Sequence, residues 1–96
     1  MKFSERIYGL CKKIPKGKVS TYREVSHKLG TKAYRAVGNA LNKNLHKSVP
    51  CHRVIDSKGH LHGFALGIRK KAEMLRREGI EIKNNKIDLK KYLYRF

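Results

Sequence analysis

The stretch STYREVSHKLGTKAYRAVGNALN, residues 20–42, carries the pattern that decides the fold. Thr21 and the glutamate three residues after it have the spacing of a capping box, which predicts a helix over 22–29. Gly30 follows directly and can end that helix, and apolar residues at helical spacing predict another helix over 32–42. Two short helices joined by a glycine turn indicate a helix-turn-helix.

Further helices and a hairpin are predicted on either side of this unit. Apolar residues three and four positions apart indicate helices over 3–14 and 69–78, the latter with Ile68 on its inner side. Apolar residues then alternate about Asn84-Asn85, which indicates a small β-hairpin with Ile80, Ile82, Ile87 and Leu89 at its apolar positions. The expected fold is therefore mostly α, a small winged helix-turn-helix-like domain with a short β-hairpin near the C-terminus.

The chain is short and strongly basic. Its 96 residues suit one domain near the lower end of the sizes that fold independently. It has 24 Lys and Arg against 7 acidic residues, and the formal net charge of +17 indicates a polyanionic partner, nucleic acid first and an anionic membrane surface second. A basic surface that serves only solubility is the alternative, although +17 far exceeds what solubility needs.

No segment has the pattern of a membrane span or a secretion signal. The sequence contains no run of 18 or more apolar residues. Residues 1–6 also lack the apolar stretch of a signal peptide. We therefore expect no membrane partner and a cytoplasmic location, or a nuclear one in a eukaryote.

The two cysteines, Cys11 and Cys51, are the candidate thiol sites. They lack the further Cys or His ligands, at short spacing, that a structural zinc site requires, so no metal is expected. Counting alone leaves a disulfide between them open, although a cytosolic location argues against it. Cys11 lies on the apolar face of the first predicted helix, where a small buried hydrophobe is expected.

Cys51 differs because it lies in the segment Val49-Pro50-Cys51-His52-Arg53-Val54. A thiolate is the attacking form of cysteine, nearby cations raise its fraction, and an adjacent histidine is the usual base. The segment 49–55 is expected to be extended, and neighbours on an extended segment point to opposite sides. His52 would then reach the sulfur only through a bend, for which Pro50 is suited, or through a bridging water. Adjacency alone is therefore weak support for catalysis.

Several stretches together resemble a known family. They are IPKGKVSTY (14–22), RAVGNAL (35–41), Asn44, VPCHRVI (49–55) and Glu78-Gly79. In this order and spacing the chain resembles the C-terminal domain of the O6-alkylguanine-DNA alkyltransferases, also called methylated-DNA–protein-cysteine methyltransferases. The resemblance extends from about residue 3 to residue 89, and its most specific part is the Pro-Cys-His-Arg segment.

The resemblance implies DNA repair by direct reversal. The helix-turn-helix would bind duplex DNA in the minor groove, an O6-alkylguanine would be flipped out of the stack, and its alkyl group would pass irreversibly to Cys51. The protein would act once as a methylated-DNA–[protein]-cysteine S-methyltransferase and be consumed, without a metal or other cofactor. It is expected to be a monomer, with cooperative binding along DNA left open.

In the family, a relay of carboxylate, imidazole, water and thiol prepares the cysteine. Glu78 matches the carboxylate, which would orient His52 and stabilise the cationic form of its ring, as in Cys-His-acid arrangements. Asn44 matches an asparagine that braces the loop carrying Cys51. The resemblance therefore implies catalytic roles for all four residues.

A second group of residues would open the duplex. Arg35 matches the family arginine that takes the space of the extruded base. Tyr22 matches a tyrosine whose hydroxyl donates to a ring nitrogen of the flipped guanine and presses on the adjacent phosphate. The short side chains after Arg35 would allow close approach to the DNA backbone, and they belong to Ala36, Gly38 and Asn39.

Two features depart from the family pattern. The usual N-terminal domain is absent, so residues 1–96 are expected to be a single DNA-binding alkyltransferase domain. The binding loop, commonly Tyr-Ser-Gly-Gly, reads Phe64-Ala65-Leu66-Gly67, and with Val54 it is expected to form the substrate pocket. The bulk of Leu66 suggests a tighter pocket that favours methyl over benzyl adducts. Comparable transfer rates from O6-methylguanine and O6-benzylguanine would contradict this hypothesis.

Two other functions stay open at this point. Alkyltransferase-like proteins share the short form and sense O6-alkylguanine without repairing it. They typically carry tryptophan in place of the reactive cysteine, so the presence of Cys51 favours transfer. A basic DNA-binding module without lesion chemistry would leave the segment 50–53 and Glu78 unexplained.

Overall fold

The computed structural model describes residues 2–43, 48–61 and 67–96, and within these ranges the chain is mostly helical. Its helices are α1 (Phe3–Cys11), α2 (Tyr22–Leu29), α3 (Tyr34–Asn42), α4 (Ile68–Arg77) and α5 (Leu89–Tyr92). A 3-10 turn (Cys51–Arg53) and two short strands, β1 (Ser20–Thr21) and β2 (Val54–Ile55), complete the described elements. The mostly α fold expected from the sequence is confirmed. None of the helices in these ranges is both long enough and apolar enough to cross a bilayer.

The helix-turn-helix forms as the sequence predicts. The Thr21 hydroxyl oxygen accepts a hydrogen bond of 3.1 Å from the backbone N–H three residues later, which caps α2. Gly30 ends α2 in the left-handed conformation that favours glycine, with φ of 75°. The second helix starts at Tyr34 rather than residue 32, because the Ala33 N–H donates to the Thr31 hydroxyl at 3.1 Å and holds a turn there.

The two strands connect the start of α2 to the Cys51 segment. β1 and β2 pair in parallel, with Ser20 beside Val54 and Thr21 beside Ile55. Parallel pairing requires a long crossover, and here the crossover contains both helices of the helix-turn-helix. Because Tyr22 directly follows β1 and the 3-10 turn directly precedes β2, the pairing brings Tyr22 close to that turn.

The C-terminal tail returns to the same part of the chain. The Val19 N–H donates to the Tyr92 carbonyl oxygen at 2.9 Å, and the Tyr94 N–H donates to the Val19 carbonyl oxygen at 2.7 Å. Residues 19–21 therefore pair with β2 and with the segment 92–94, both of which are distant in sequence. The tail also contains one short helix, α5, which ends where the segment 92–94 that pairs with Val19 begins.

A turn replaces the extended conformation expected around Cys51. Residues 51–53 form the 3-10 turn, in which the Cys51 N–H donates to the carbonyl oxygen two residues earlier at 2.8 Å. Pro50 comes immediately before it, and the restricted φ of proline suits the start of such a turn. The expectation of an extended segment over 49–55 is therefore wrong at its centre, and the backbone is bent where His52 follows the thiol.

The hairpin around Asn84-Asn85 is confirmed, and it is short. Both asparagines have positive φ, 52° and 59°, as a type I′ turn requires. The two residues that flank them exchange backbone hydrogen bonds of 3.0 and 2.9 Å. Leu89, expected on a hairpin strand, instead begins α5 because the Asp88 side chain caps that helix.

The buried apolar residues form two clusters. The first packs α1, α2 and α3 against the 3-10 turn and consists of Ile7, Leu10, Cys11, Ile14, Val25, Val37, Leu41, Val49, Cys51 and Val54. The second packs α4 against the hairpin and the tail and consists of Val19, Ile55, Leu61, Ala72, Leu75, Ile80, Ile82, Ile87 and Tyr92. Both cysteines are free thiols, and Cys11 is buried as expected.

The inner face of α4 differs from the prediction. Ile68 was expected to face inward but is 45% exposed. It is the first residue of α4, and the buried residues of this helix begin three positions later. The buried residues of α4 are Lys71, Ala72 and Leu75. A fully buried lysine on an otherwise apolar face was not predicted, and its surroundings are part of the site described below.

Gly59 holds the hairpin against the preceding loop, so replacing it should be costly. Its φ is 89°, and a Cβ at this position would collide with the carbonyl oxygen of Ile87. The Ile87 N–H donates to the Gly59 carbonyl oxygen at 2.8 Å, so the two backbones cannot separate without losing that bond. We expect Gly59→Ala to lower the free energy of unfolding by roughly 2–4 kcal/mol through backbone strain and overpacking. Urea denaturation measures the loss.

Gly9→Ala is the matched control for this substitution. Gly9 lies within α1, and a Cβ there would meet nothing within 4 Å. Because alanine is the better helix former, the same change should raise the free energy of unfolding by roughly 0.5–1 kcal/mol. A similar result for both variants would show that Gly59 has no special role.

Candidate active site

Cys51 is buried where α1 meets the 3-10 turn. It is 4% exposed and belongs to the first apolar cluster together with Cys11 of α1. The side chains of the two cysteines are hydrogen-bonded, and this bond, followed by burial, raises the pKa of the Cys11 thiol. Cys11 therefore keeps its proton at neutral pH.

His52 is the next residue of the same turn, and Glu78 holds its side chain. The His52 Nε2 atom lies 2.8 Å from Glu78 Oε2. An ionised carboxylate only accepts, so Nε2 carries the proton and Nδ1 is the basic nitrogen. Burial lowers the pKa of His52 and outweighs the opposite effect of Glu78. The ring is therefore neutral at pH 7, as a general base must be, and the expected stabilisation of its cationic form by Glu78 is the smaller effect.

Arg53 is paired with Glu78, a contact that sequence reasoning missed. Its Nε and Nη2 atoms donate to the two Glu78 carboxylate oxygens at 2.9 and 2.7 Å. Its Nη1 atom donates to the Ile14 carbonyl oxygen at 2.9 Å. Such a bidentate pair is strong and fixed in orientation. The Arg53 charge, which follows the thiol closely in sequence, is therefore bound to the Glu78 carboxylate and fixes its orientation.

Glu78 joins these side chains at the C-terminal end of α4. Burial raises the pKa of Glu78, but the hydrogen bonds from Arg53 and His52 outweigh burial and leave that pKa below its usual value. An acid at a helix C-terminus is unfavourable toward the helix dipole. The two donors compensate for that cost, and the carboxylate stays ionised at neutral pH.

Lys71 is a second residue that sequence reasoning missed. Its side chain has no exposed surface, its Nζ atom donates to the Val54 carbonyl oxygen at 2.6 Å, and it lies 5.9 Å from the centre of the Tyr22 ring. Burial lowers the pKa of Lys71 to about 7, while Cys51 and Asp56 act in the opposite direction. The only signal in the sequence was its helical spacing to Leu75, which placed a lysine on an inner face.

The pKa of Lys71 predicts a specific pH dependence of stability. Between pH 7 and the usual lysine pKa of 10.5, the unfolded chain holds a proton that the folded chain has lost. Stability must therefore rise with pH across this window, by up to roughly 1.4 kcal/mol per pH unit for one group. We expect urea unfolding of the wild type, compared with Lys71→Met, to show this rise as a difference between the two proteins.

Lys70→Met provides the matched control, since Lys70 is the preceding residue of α4 and is exposed. Its removal should leave the pH dependence of the wild type unchanged. Parallel curves for the wild type and Lys71→Met would contradict the low pKa of the buried amine.

A cleft of about 280 Å³ lies between α2 and α3. It is lined by Tyr22, Tyr34, Arg35, Gly38, Asn39 and Asn42. Four of these were predicted to act on DNA, and the structure brings them together at one opening. Ala36, predicted with them, is exposed on α3 but does not line the cleft.

Tyr22 lines this cleft and also packs against the apolar cluster that contains Cys51. Burial raises the pKa of Tyr22, with smaller contributions from the charges of Asp56, Cys51 and Cys11. The phenol is therefore neutral at physiological pH and can donate a hydrogen bond. The parallel strand pair explains its position, because Tyr22 follows β1 directly.

Several predicted site residues lie outside the described ranges, namely Asn44, Phe64, Ala65 and Leu66. Val54, expected in the same pocket, is buried in β2, where its carbonyl oxygen faces Lys71. In the described parts of the chain, no group of three or more His, Cys, Asp or Glu side chains is arranged to hold a metal ion.

The chain is similar to known proteins in both sequence and structure. Residues 2–80 match the family described as 6-O-methylguanine DNA methyltransferase, DNA binding domain. The chain is 46% identical over 90 residues to a bifunctional methyltransferase/endonuclease of Picrophilus torridus, which corresponds to 92% of this chain and 30% of that protein. The chain spans about half or less of the length of the curated relatives it matches.

Two solved structures are also similar. Atl1 of S. pombe, in complex with damaged DNA containing O6-carboxymethylguanine, has 34% sequence identity and a TM-score of 0.86, with 100% of both chains covered. Mycobacterium tuberculosis OGT, in complex with DNA, has 38% identity and a TM-score of 0.76, with 81% of this chain and 50% of that chain covered. The likeness to Atl1 covers the whole chain and therefore includes the helix-turn-helix and the Cys51 turn.

Proposed function

Since the chain belongs to the 6-O-methylguanine DNA methyltransferase family, whose DNA-binding domain it contains, we propose that it removes alkyl groups from O6-alkylguanine in duplex DNA. Cys51 accepts the alkyl group irreversibly, so each molecule acts once. The observation that carries the proposal is the 2.8 Å hydrogen bond that His52 donates to Glu78, since His52 directly follows Cys51 in the 3-10 turn.

This arrangement supports a balanced transfer. The Nδ1 atom of His52 takes the proton of the Cys51 thiol, directly or through a water molecule. The sulfur electron pair then forms a bond to the alkyl carbon while the bond from that carbon to O6 breaks, and its electron pair stays on guanine. The proton held by His52 returns to the guanine, which leaves an intact base and a neutral ring. Water does not cleave the resulting thioether, so Cys51 is not regenerated.

The cleft between α2 and α3 supports a base-flipping role. Arg35 takes the place of the extruded nucleotide, and Tyr22 donates to a ring nitrogen of the flipped guanine. The short side chains along α3 allow the phosphate backbone to approach, and they belong to Ala36, Gly38 and Asn39. The net charge of +17 supplies affinity for phosphates that should weaken as salt rises.

Other parts of the proposal rest on the sequence alone. Asn44 braces the loop before Cys51, and Phe64, Ala65 and Leu66 form the pocket wall that favours small adducts. Residues 1–96 form one DNA-binding domain that acts as a monomer on chromosomal DNA, in the cytoplasm or in a eukaryotic nucleus. These statements stay predictions.

Lesion sensing without transfer is the second candidate function. The S. pombe Atl1 structure favours it, because its TM-score of 0.86 exceeds the value of 0.76 for M. tuberculosis OGT. A protein that only binds the lesion, however, does not require a nucleophile such as Cys51 followed by a base, His52, that a carboxylate orients. Cys51 and its paired neighbours therefore favour transfer.

One mass measurement separates these functions. The protein is incubated with excess duplex that contains a single O6-methylguanine, and the intact mass and the Cys51 peptide are then measured. Transfer adds one methylene mass to the whole population, on that peptide. Preferential binding of the lesion without a mass change identifies a sensor. Equal affinity for the damaged and undamaged duplexes, with no mass change, identifies a plain DNA-binding module and contradicts both proposals.

A further inference from the structure

Tyr34 is an exposed aromatic residue at the start of α3. It is 46% exposed, and the other large apolar side chains exposed in the described ranges, Phe3 and Ile68, lie on other helices. A single exposed ring needs no explanation by itself. The surroundings of Tyr34 therefore decide whether it has a function.

These surroundings form an open slot beside a cation. Tyr34 shares the lining of the 280 Å³ cleft with Arg35, Gly38 and Asn39 of the same helix and with Tyr22 of α2. Gly38 lies one turn after Tyr34, and a Cβ built on it would meet nothing within 4 Å, so the space along the ring is unfilled. A nucleic acid base has a flat apolar face and polar edges, and this slot offers an aromatic face with polar groups around it.

We propose that Tyr34 is a second wedge residue, whose ring stacks on a base left without a neighbour when the damaged nucleotide leaves the duplex. The inference rests on the proposed function and adds a residue to it. Removing one nucleotide exposes the faces of the bases beside the gap and leaves the base opposite it unpaired. Arg35 fills the gap with a charged planar group, and Tyr34 covers an exposed base face. Apolar wedges of this kind stabilise opened duplexes by replacing lost stacking.

The test compares duplex and single-stranded substrates, both containing one O6-methylguanine. In a single strand the damaged base is already unstacked, so a wedge has nothing to contribute. Tyr34→Ala should slow methyl transfer from the duplex by roughly 10-fold and leave transfer from the single strand unchanged. Tyr34→Phe keeps the ring and should transfer at the wild-type rate on both substrates. A merely structural role of Tyr34 would slow both substrates equally and lower the melting temperature.

A duplex with an abasic site opposite the lesion locates the stacked base. If Tyr34 covers the orphaned base, the difference between the wild type and Tyr34→Ala should disappear on this duplex. If Tyr34 covers the base next to the gap, the difference should persist. Phe3→Ala is the control variant, since Phe3 is exposed on α1 and does not line the cleft. It should behave as the wild type on every substrate.

Equal duplex rates for Tyr34→Ala and the wild type would overturn the inference, as would equal losses on duplex and single strand. Whether the proposed methyl transfer occurs at all is measured on the wild type alone, independently of the Tyr34 variants. If the wild type binds the lesion without transfer, dissociation constants replace rates, and Tyr34→Ala should weaken duplex binding by the same factor. A wild type that does not distinguish damaged from undamaged duplex overturns both the inference and the function on which it rests.

Discussion

Replacing Cys51 with alanine should abolish methyl transfer completely. The reaction requires a sulfur electron pair at this position, and Cys51 is the only thiol in the 3-10 turn that carries His52. The cleft between α2 and α3 does not include Cys51, so binding to a duplex with O6-methylguanine should persist. The loss of a small buried side chain should lower the free energy of unfolding by about 1 kcal/mol. Intact mass after incubation with excess lesion, and a binding isotherm, measure the two properties.

Cys11→Ala is the matched control, because Cys11 is the other buried thiol of the same apolar cluster. This variant should still gain one methylene mass, located on the Cys51 peptide. A mass gain in the Cys51→Ala protein would identify a different acceptor and contradict the proposed mechanism.

Replacing Glu78 with glutamine should slow transfer by roughly 100-fold without preventing it. The amide has one acceptor oxygen where the carboxylate has two, so it cannot hold His52 and the bidentate Arg53 together. With His52 no longer held in the orientation that exposes Nδ1, proton removal from Cys51 becomes inefficient. Stability should fall as well, by roughly 2 kcal/mol, because the partly buried Arg53 charge loses its partner. Single-turnover rates and urea denaturation measure these effects.

Glu73→Gln is the control on the same helix. Glu73 pairs with Arg77 at 2.9 Å on the exposed side of α4. An exposed pair of this kind contributes well under about 1 kcal/mol, so neither the transfer rate nor the stability should change appreciably. If Glu78→Gln behaved like Glu73→Gln, the orienting role of Glu78 would be refuted.

The His52–Glu78 pair should also make the stability of the protein decrease at low pH. The pKa values of Glu78 and His52 both lie below their usual values in the folded protein. For each group, there is a pH range between its usual pKa and its lowered pKa in the folded protein. In that range the group is protonated in the unfolded chain but not in the folded one. The free energy of unfolding therefore decreases as the pH falls through it. The Glu78→Gln variant has no carboxylate at this position and should lose less stability below pH 4.5, the usual value for that carboxyl.

The parts of the fold that sequence reasoning predicted depend on local chemistry. A capping hydroxyl at Thr21, a left-handed glycine at position 30 and the Asn84-Asn85 turn each act over three or four residues. These features can therefore be predicted from the local sequence without knowledge of the rest of the chain. The same holds for the bend at Cys51, for which Pro50 was the only indication, although its form as a 3-10 turn was not predicted.

The parts that were missed depend on contacts between distant segments. Arg53 reaches Glu78 across 25 positions and Ile14 across 39, so adjacency to Cys51 suggested the wrong partner for its charge. Only its helical spacing to Leu75 set Lys71 apart in a chain with 24 basic residues, and that spacing does not show where the amine lies. Only the packing of α4 against β2 shows that its amine lies inside, bonded to Val54.

The double pairing of residues 19–21 also sets the order of assembly during synthesis. Those residues leave the ribosome long before β2, and longer still before Tyr92, to which Val19 is bonded. At roughly 5–20 residues per second, the nascent chain waits several seconds for its second partner. The helix-turn-helix depends on near neighbours and can form within that time, whereas the Cys51 turn must wait for Glu78. A nascent chain should therefore acquire its DNA-binding surface before its chemistry, and proteolysis of ribosome-stalled chains of increasing length would detect residues 20–42 becoming protected first.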